Sequence, residues 1–292
     1  MENTWPGDVV RARSIGEMLD AGVALVVRAA VPLLAIGCVL IMIPYVVQSI
    51  AIDHLGSGQY VTKNIFVIVT FFADILARGA FVLILTEATS PMAAMPTVVP
   101  TLLRSAVRLV ALSIFVAAIM LVVLGVLAIP LIAFFATGVH AAGRTQEFVV
   151  LTLLAGPGII AFLTFTPFVL MAEIFAAFSI VRDGKKPRES LVTALRLMFA
   201  KTQRRRSILM AILAFVPTFA LYVVKAVLHT RLPSIRSEFF SLLYGLALVA
   251  TSAFEIAVAI TYRRDLQIRV EGYDLHTAAA KLGGTAAAII AP

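Results

Sequence analysis

Residues 182–206 read RDGKKPRESLVTALRLMFAKTQRRR. Nine of them are basic: Arg182, Lys185, Lys186, Arg188, Arg196, Lys201, Arg204, Arg205 and Arg206. Two are acidic, Asp183 and Glu189, so this stretch carries +7 of the chain's formal +8. Long apolar runs flank it on both sides. A basic loop between apolar spans marks the cytoplasmic side of a membrane protein, because Lys and Arg resist translocation. The loop therefore orients every other segment.

Its middle has a helical pattern. Pro187 suits the first position of a helix, where a missing N–H costs nothing. Leu191, Leu195, Met198 and Phe199 then recur at helical spacing, with Arg196 and Lys201 on the flanks of the stripe. Two arrangements satisfy this pattern. The helix can lie on the inner membrane surface with its basic residues among anionic headgroups. It can equally pack beneath the bundle with its charges solvated.

Working outward, the chain of 292 residues is 61% hydrophobic and 14% charged, with a mean hydropathy of +1.01. Soluble proteins are about 25% charged. The apolar runs reach the roughly 20 residues that a spanning helix needs and lack the alternation of barrel strands. The expected fold is all-α: an integral membrane bundle of six transmembrane helices with short amphipathic cytoplasmic helices. The basic pI, about 10.0, does not point to nucleic acid, because the charge sits in loops beside apolar spans. Cys38 is the single cysteine, so an internal disulfide or cysteine metal cluster is excluded. The first apolar run is too long for a signal-peptide core, so no cleavable leader is expected.

The spans are placed at about 23–50, 64–86, 105–137, 159–180, 207–228 and 239–262, in one membrane domain of residues 1–276 followed by a flexible cytoplasmic tail, 277–292. Ser14 and Glu17 fit a capping box that opens a short helix leading into the first span. Residues 88–104, with three prolines, read as a turn-rich connection. Pro157-Gly158 reads as a break before the fourth span, and Arg263-Arg264 as the start of the tail. Seventeen Lys and Arg then fall on one side: Arg11 and Arg13, Arg104 and Arg108, the nine of the loop, and Arg263, Arg264, Arg269 and Lys281. Four fall on the other: Lys63, Arg144, Arg231 and Arg236. This bias puts both termini in the cytoplasm of a bacterial inner-membrane protein.

Three stretches carry a resemblance. They are RARSIGEMLDAGVALVVRAAVPLLAI at 11–36, PGIIAFLTFTPFVLMAEIFAAFSIVRDGKKPRESLVTALRLM at 157–198, and YRRDLQIRVEGYDL at 262–275. Together they resemble the membrane domain of bacterial glycerophosphoryl diester phosphodiesterases, which also occurs as stand-alone multi-pass proteins. The resemblance implies a membrane module. It does not imply phosphodiesterase activity, which in fused members sits in a separate soluble domain, and no region here is polar and long enough to be one.

The residues themselves offer little catalytic chemistry. His54, His140, His229 and His276 fall in loops or the tail without ligand spacing. Neither a Gly-flanked nucleophile elbow nor a phosphate-cradling loop occurs. No enzyme and no cofactor are expected. The ionisable residues inside the spans are more informative, because they are costly in hydrocarbon and face the bundle interior. Glu173 and Lys225 lie near opposite interfaces and read as anchors. Asp74, Arg78 and Glu255 lie deeper. Asp74 and Arg78 share a helix face in the favourable acid-before-base order. Glu255 shares its face with the small residues Ser241, Gly245 and Ser252, which permit close helix approach. Spans two and six are therefore expected to touch, with Arg78 bridging Asp74 and Glu255. Two functional readings remain. One is a non-enzymatic scaffold or lipid-associated module, whose partners are the bilayer, anionic phospholipid headgroups, and a protein partner or second copy. The other is a small-solute transporter or permease subunit using the three midplane charges.

Overall fold

The computed structural model describes residues 13–54, 59–86, 91–136, 144–200, 203–231 and 238–271. Lys201, His140, His276 and the tail at 277–292 lie outside them. The described elements are all helical: α1 (Ile15–Arg28), α2 (Ala30–Gly37), a π-helical turn (Cys38–Met42), α3 (Ile43–His54), α4 (Tyr60–Thr86), α5 (Pro91–Ala136), α6 (Arg144–Asp183), α7 (Pro187–Met198), α8 (Arg204–Arg231) and α9 (Glu238–Glu271). Among the described residues, six stretches are long and apolar enough to cross a bilayer: Ala30–Ile52, Tyr60–Thr86, Pro96–Val123, Leu163–Asp183, Arg204–Leu228 and Phe239–Val270. The chain is an all-α multi-pass membrane protein.

α1 begins as the sequence suggests. Ser14 Oγ accepts from the Glu17 N–H at 3.2 Å, and Glu17 Oε2 accepts from the Ser14 N–H at 2.7 Å. The helix does not run on into the first span, however. It stops at Ala29, and the span starts at Ala30 rather than near Val23. The physical reason is Pro32: it has no N–H for the Arg28 carbonyl, and its ring crowds that carbonyl. α1 instead lies along α9, burying Met18, Gly22 and Leu25. A Cβ at Gly22 would come within 2.7 Å of Val258. The π-helical turn has a similar origin. Pro44 withholds a donor from the Leu40 carbonyl, and the ladder widens just before it.

Prolines do less elsewhere. α5 is helical from Pro91, so the expected turn-rich connection is largely helix. Pro91 occupies its first position, where no donor is needed. Val98, Leu102, Ser105, Leu109, Leu112 and Val116 then form one buried stripe. α6 runs unbroken through Pro157 and Pro167, and α8 through Pro217. The expected break at Pro157-Gly158 is absent. In an apolar bundle, unlike in water, neighbouring groups re-satisfy the freed carbonyls and helix remains the cheapest backbone state.

α6 and α9 form the core. Between Phe168 and Val181 nearly every side chain of α6 is buried, because α4, α5, α7, α8 and α9 surround it. α9 touches α1, α3, α4, α6, α7 and α8. The outward faces carry large apolar side chains in the open, such as Val61, Leu121 and Val107, the last 80% exposed. A soluble protein would not show such a belt; hydrocarbon is its natural solvent.

The small face of α9 finds a different neighbour from the one expected. Ser241 Oγ bonds Ser49 Oγ of α3 at 3.0 Å, and Gly245 rests against Met42. The close approach is thus to the first span. α4 also touches α9, so spans two and six meet as expected.

Candidate functional site

The intramembrane charges come from α4, α5, α6 and α9. Arg78 grips Asp74 one turn earlier on α4, through Nη2 at 2.8 Å and Nε at 2.9 Å from Oδ2. Its Nη1 lies 3.5 Å from Oε2 of Glu173 on α6. The other Glu173 oxygen accepts from Ser113 Oγ of α5 at 2.5 Å. Glu173 is 7% exposed. It is a buried tie between three helices, not an interface anchor. Its position ten residues before the end of α6 suggested an anchor, but α5 and α7 shield that end of the helix. A cavity of about 10 Å³, room for one water, opens beside Arg78, Ser113 and Glu173.

Arg78 therefore bridges Asp74 and Glu173, not Asp74 and Glu255. Glu255 is also 7% exposed, yet none of the ion pairs of 4.0 Å or less among the described residues includes it. Its Oε1 is buried with no hydrogen-bond partner, and so is Thr218 Oγ1 of α8 beside it. The guanidinium is taken by the acid that α6 carries into the same layer. Toward the other end of the bundle, Lys225 Nζ lies 4.9 Å from both the Tyr45 and Tyr244 ring centroids. It is held by aromatic faces as well as by its depth.

The second candidate region is the basic end. α6 closes with Gly184 in the left-handed conformation, φ 66°. The Gly184 N–H donates to the Ile180 carbonyl at 3.1 Å and the Lys185 N–H to the Ser179 carbonyl at 3.3 Å. Arg108 of α5 donates to the Gly184 carbonyl at 2.7 Å. α7 then turns its apolar side inward: Ser190, Leu191, Ala194, Leu197 and Met198 are buried against the bundle. This is the packed arrangement. Leu195 lies at the edge and Phe199 is exposed, so the buried stripe is rotated from the one read in the sequence. The lipid-surface arrangement needed that apolar side free.

With its back fixed, the segment presents its charges outward. Arg182, Lys186, Arg188, Arg196, Arg204 and Arg205 are exposed, and Lys185 is half-buried. Val192 and Phe199 are exposed among them, and Arg204 stacks over the Phe199 ring at 5.8 Å. Arg206 departs from the expected face. It turns inward, to 3.2 Å from Asp265 Oδ2, and also donates to the Arg13 carbonyl.

Asp265 is the residue that sequence reasoning missed. α9 does not end at Tyr262; it continues to Glu271, and Asp265 is 2% exposed. Its carboxylate accepts from the Arg13 N–H at 2.7 Å and from Arg269 Nε at 2.8 Å, and it pairs with Arg206. Arg269 also donates to the Arg13 carbonyl at 2.9 Å. Arg263, expected to open the tail, is buried over the Phe178 ring at 3.8 Å and donates to Ser179 Oγ at 3.1 Å. The available signal was the Asp265–Arg269 spacing, an acid four residues before a base. It is legible only if the helix is carried past the apolar run.

Among the described residues, no group of three or more His, Cys, Asp or Glu side chains converges to hold a metal ion. Comparisons with protein-family models, with curated proteins and with solved structures returned no match. The geometry defines the class, a multi-pass helical membrane protein with six candidate spans among the described residues and a basic end tied by ion pairs.

Proposed function

We propose that this protein is a non-catalytic module of the bacterial inner membrane that holds a rigid basic surface against anionic headgroups of the cytoplasmic leaflet. One observation carries the reading: six exposed Arg and Lys side chains project from a segment whose opposite face is buried in the bundle. Each basic residue near an anionic surface contributes about 1 kcal/mol, screened over a Debye length of roughly 8–10 Å. Exposed Val192 and Phe199 add apolar contact at the headgroup boundary.

The resemblance to the membrane domain of glycerophosphoryl diester phosphodiesterases belongs to this reading. Its three stretches meet at one end of the fold. Arg13 of the first bonds Asp265 and Arg269 of the third, and α7 of the second touches both α6 and α9. Solute transport is the other reading of the midplane charges. The pairing of Arg78 with two acids on two helices favours a structural role for that guanidinium.

The experiment is thermal unfolding of the detergent-solubilised full chain with added lipid. Anionic phospholipid is expected to raise the midpoint, less so as salt rises, and zwitterionic phospholipid to have little effect. The variant Arg188→Glu/Arg196→Glu/Arg204→Glu/Arg205→Glu should lose the anionic response. Equal stabilisation by both lipids, or an undiminished response in that variant, would overturn the reading.

A further inference from the structure

Among the described residues, one deeply buried acid has no close ion pair. Asp74 and Glu173 share Arg78, and Glu173 also accepts from Ser113. Asp265, at the basic end, has two arginines and an N–H. Glu255 is as buried as Glu173 but has no ion pair within 4.0 Å, and its Oε1 is unpartnered. An ionised carboxylate in that state would be among the costliest groups in the bundle.

The neighbouring hydroxyl is also unusual. Thr70, Thr251 and Thr261 each donate to the carbonyl four residues earlier in their own helix. This is the ordinary refuge for a threonine in a spanning helix. Thr218 does not take it; its Oγ1 is buried and unpartnered beside Glu255. Thr218 Oγ1 of α8 is thus within reach of the Glu255 carboxyl of α9, short of a well-formed hydrogen bond. The groups around them are Asp74 and Arg78 of α4, with Glu173 of α6 behind Arg78, and Tyr222 of α8. With Glu255 ionised, three carboxylates would surround one guanidinium, whose charge two of them already divide.

We propose that Glu255 is an exchangeable proton-binding site in the bundle interior, with Thr218 as hydrogen-bond partner of the protonated acid. The ligand that fits is a proton and not a metal ion, because the three oxygens of Glu255 and Thr218 fall short of the six or more that a hard cation takes. The step is uptake of one proton from water onto a carboxyl oxygen, with no other bond made or broken. That oxygen becomes a donor, and the Thr218 hydroxyl can accept from it or donate to its partner oxygen; what protonation removes is the buried charge, which a hydroxyl alone does not offset. The site then carries no charge of its own, and the remaining interior charges are those tied through Arg78.

A hydrophobic carbodiimide tests this directly, because it adds to protonated carboxylic acids in apolar surroundings and leaves a stable N-acylurea. Purified wild-type protein, in detergent and reconstituted, is treated with N,N′-dicyclohexylcarbodiimide and mapped by mass spectrometry. Labelling is expected at Glu255 in excess of Asp74 and Glu173. Once the acid titrates, labelling should fall about tenfold per pH unit, and added Na+ or K+ at fixed pH should not affect it. Thr218→Val, which removes only the hydroxyl, should shift the pH at which labelling falls by half. Absence of Glu255 labelling from about pH 5 to pH 9, around the carboxylate range, would overturn the proposal. So would labelling that Na+ or K+ abolishes at constant pH, which would make the site one for a metal cation. The wild-type measurement depends on no variant folding, and Glu255→Gln serves only to confirm the assignment of the labelled peptide.

Discussion

Replacing Asp265 by Leu should loosen the whole basic end. The aspartate accepts from the Arg13 N–H at 2.7 Å and from Arg269 at 2.8 Å, and it pairs with Arg206 at 3.2 Å. Hydrogen bonds to charged groups contribute about 1.5–3 kcal/mol when fully buried. The arginines are partly open, with side chains 21% and 25% exposed, so water would recover part of theirs. Counting about 1 kcal/mol for each of the three contacts gives a loss of about 3 kcal/mol. At roughly 2 °C per kcal/mol for a chain of this size, the thermal midpoint should fall by about 6 °C. Asp265→Asn keeps the shape and an acceptor for the Arg13 N–H, so it should lose only about half as much. The second signature is local: Arg13 is held by this site through both its N–H and its carbonyl, so its peptide should become faster to exchange and to proteolyse while α4–α6 stay unchanged. The assay is differential scanning fluorimetry in detergent, paired with hydrogen exchange. A midpoint within about 2 °C of wild type, roughly 1 kcal/mol, together with unchanged exchange at the N-terminus, would refute the idea that Asp265 ties these elements.

Arg78→Leu alone should destabilise more than Arg78→Leu/Asp74→Leu/Glu173→Leu, because the single change strands two acids; breaking a buried pair costs about 3–5 kcal/mol, less here where Asp74 is a third exposed. Equal midpoints would show that the pairing does not matter. Gly37→Ala should cost about 1–3 kcal/mol, since its new Cβ would collide with Val249 Cγ1, and Val249→Ala should restore most of the loss; failure of the double variant to recover would contradict the packing. For topology, a C-terminal fluorescent fusion should glow while a C-terminal periplasmic phosphatase fusion stays silent, and a reporter inserted at Gly143 should behave in the opposite way. Reversed activities would invert the orientation.

The amino-acid sequence alone determined the six apolar runs, the Ser14–Glu17 cap and the Asp74–Arg78 pair. Each is either a composition over about 20 residues or a contact within one helical turn, and such features need no knowledge of neighbours. Only the tertiary structure decided what each helix faces. Nothing in the vicinity of Arg78 announces that its second acid arrives on α6 rather than α9, because Glu173 and Glu255 look alike as lone acids in apolar runs. α7 is amphipathic on either reading; whether its apolar side meets lipid or protein depended on α6 and α9 lying above it. The prolines misled for the same reason. In water Pro157 marks a break, yet α6 continues through it, helix being the backbone state that best satisfies its own polar groups where water is scarce. Asp265 lay beyond the last apolar residue, where hydropathy falls and a helix is no longer expected. What carries α9 onward to Glu271 is a set of partners from other segments, Arg13 near the N-terminus and Arg206 in the first turn of α8, and pairing between distant segments leaves no periodic trace in either one.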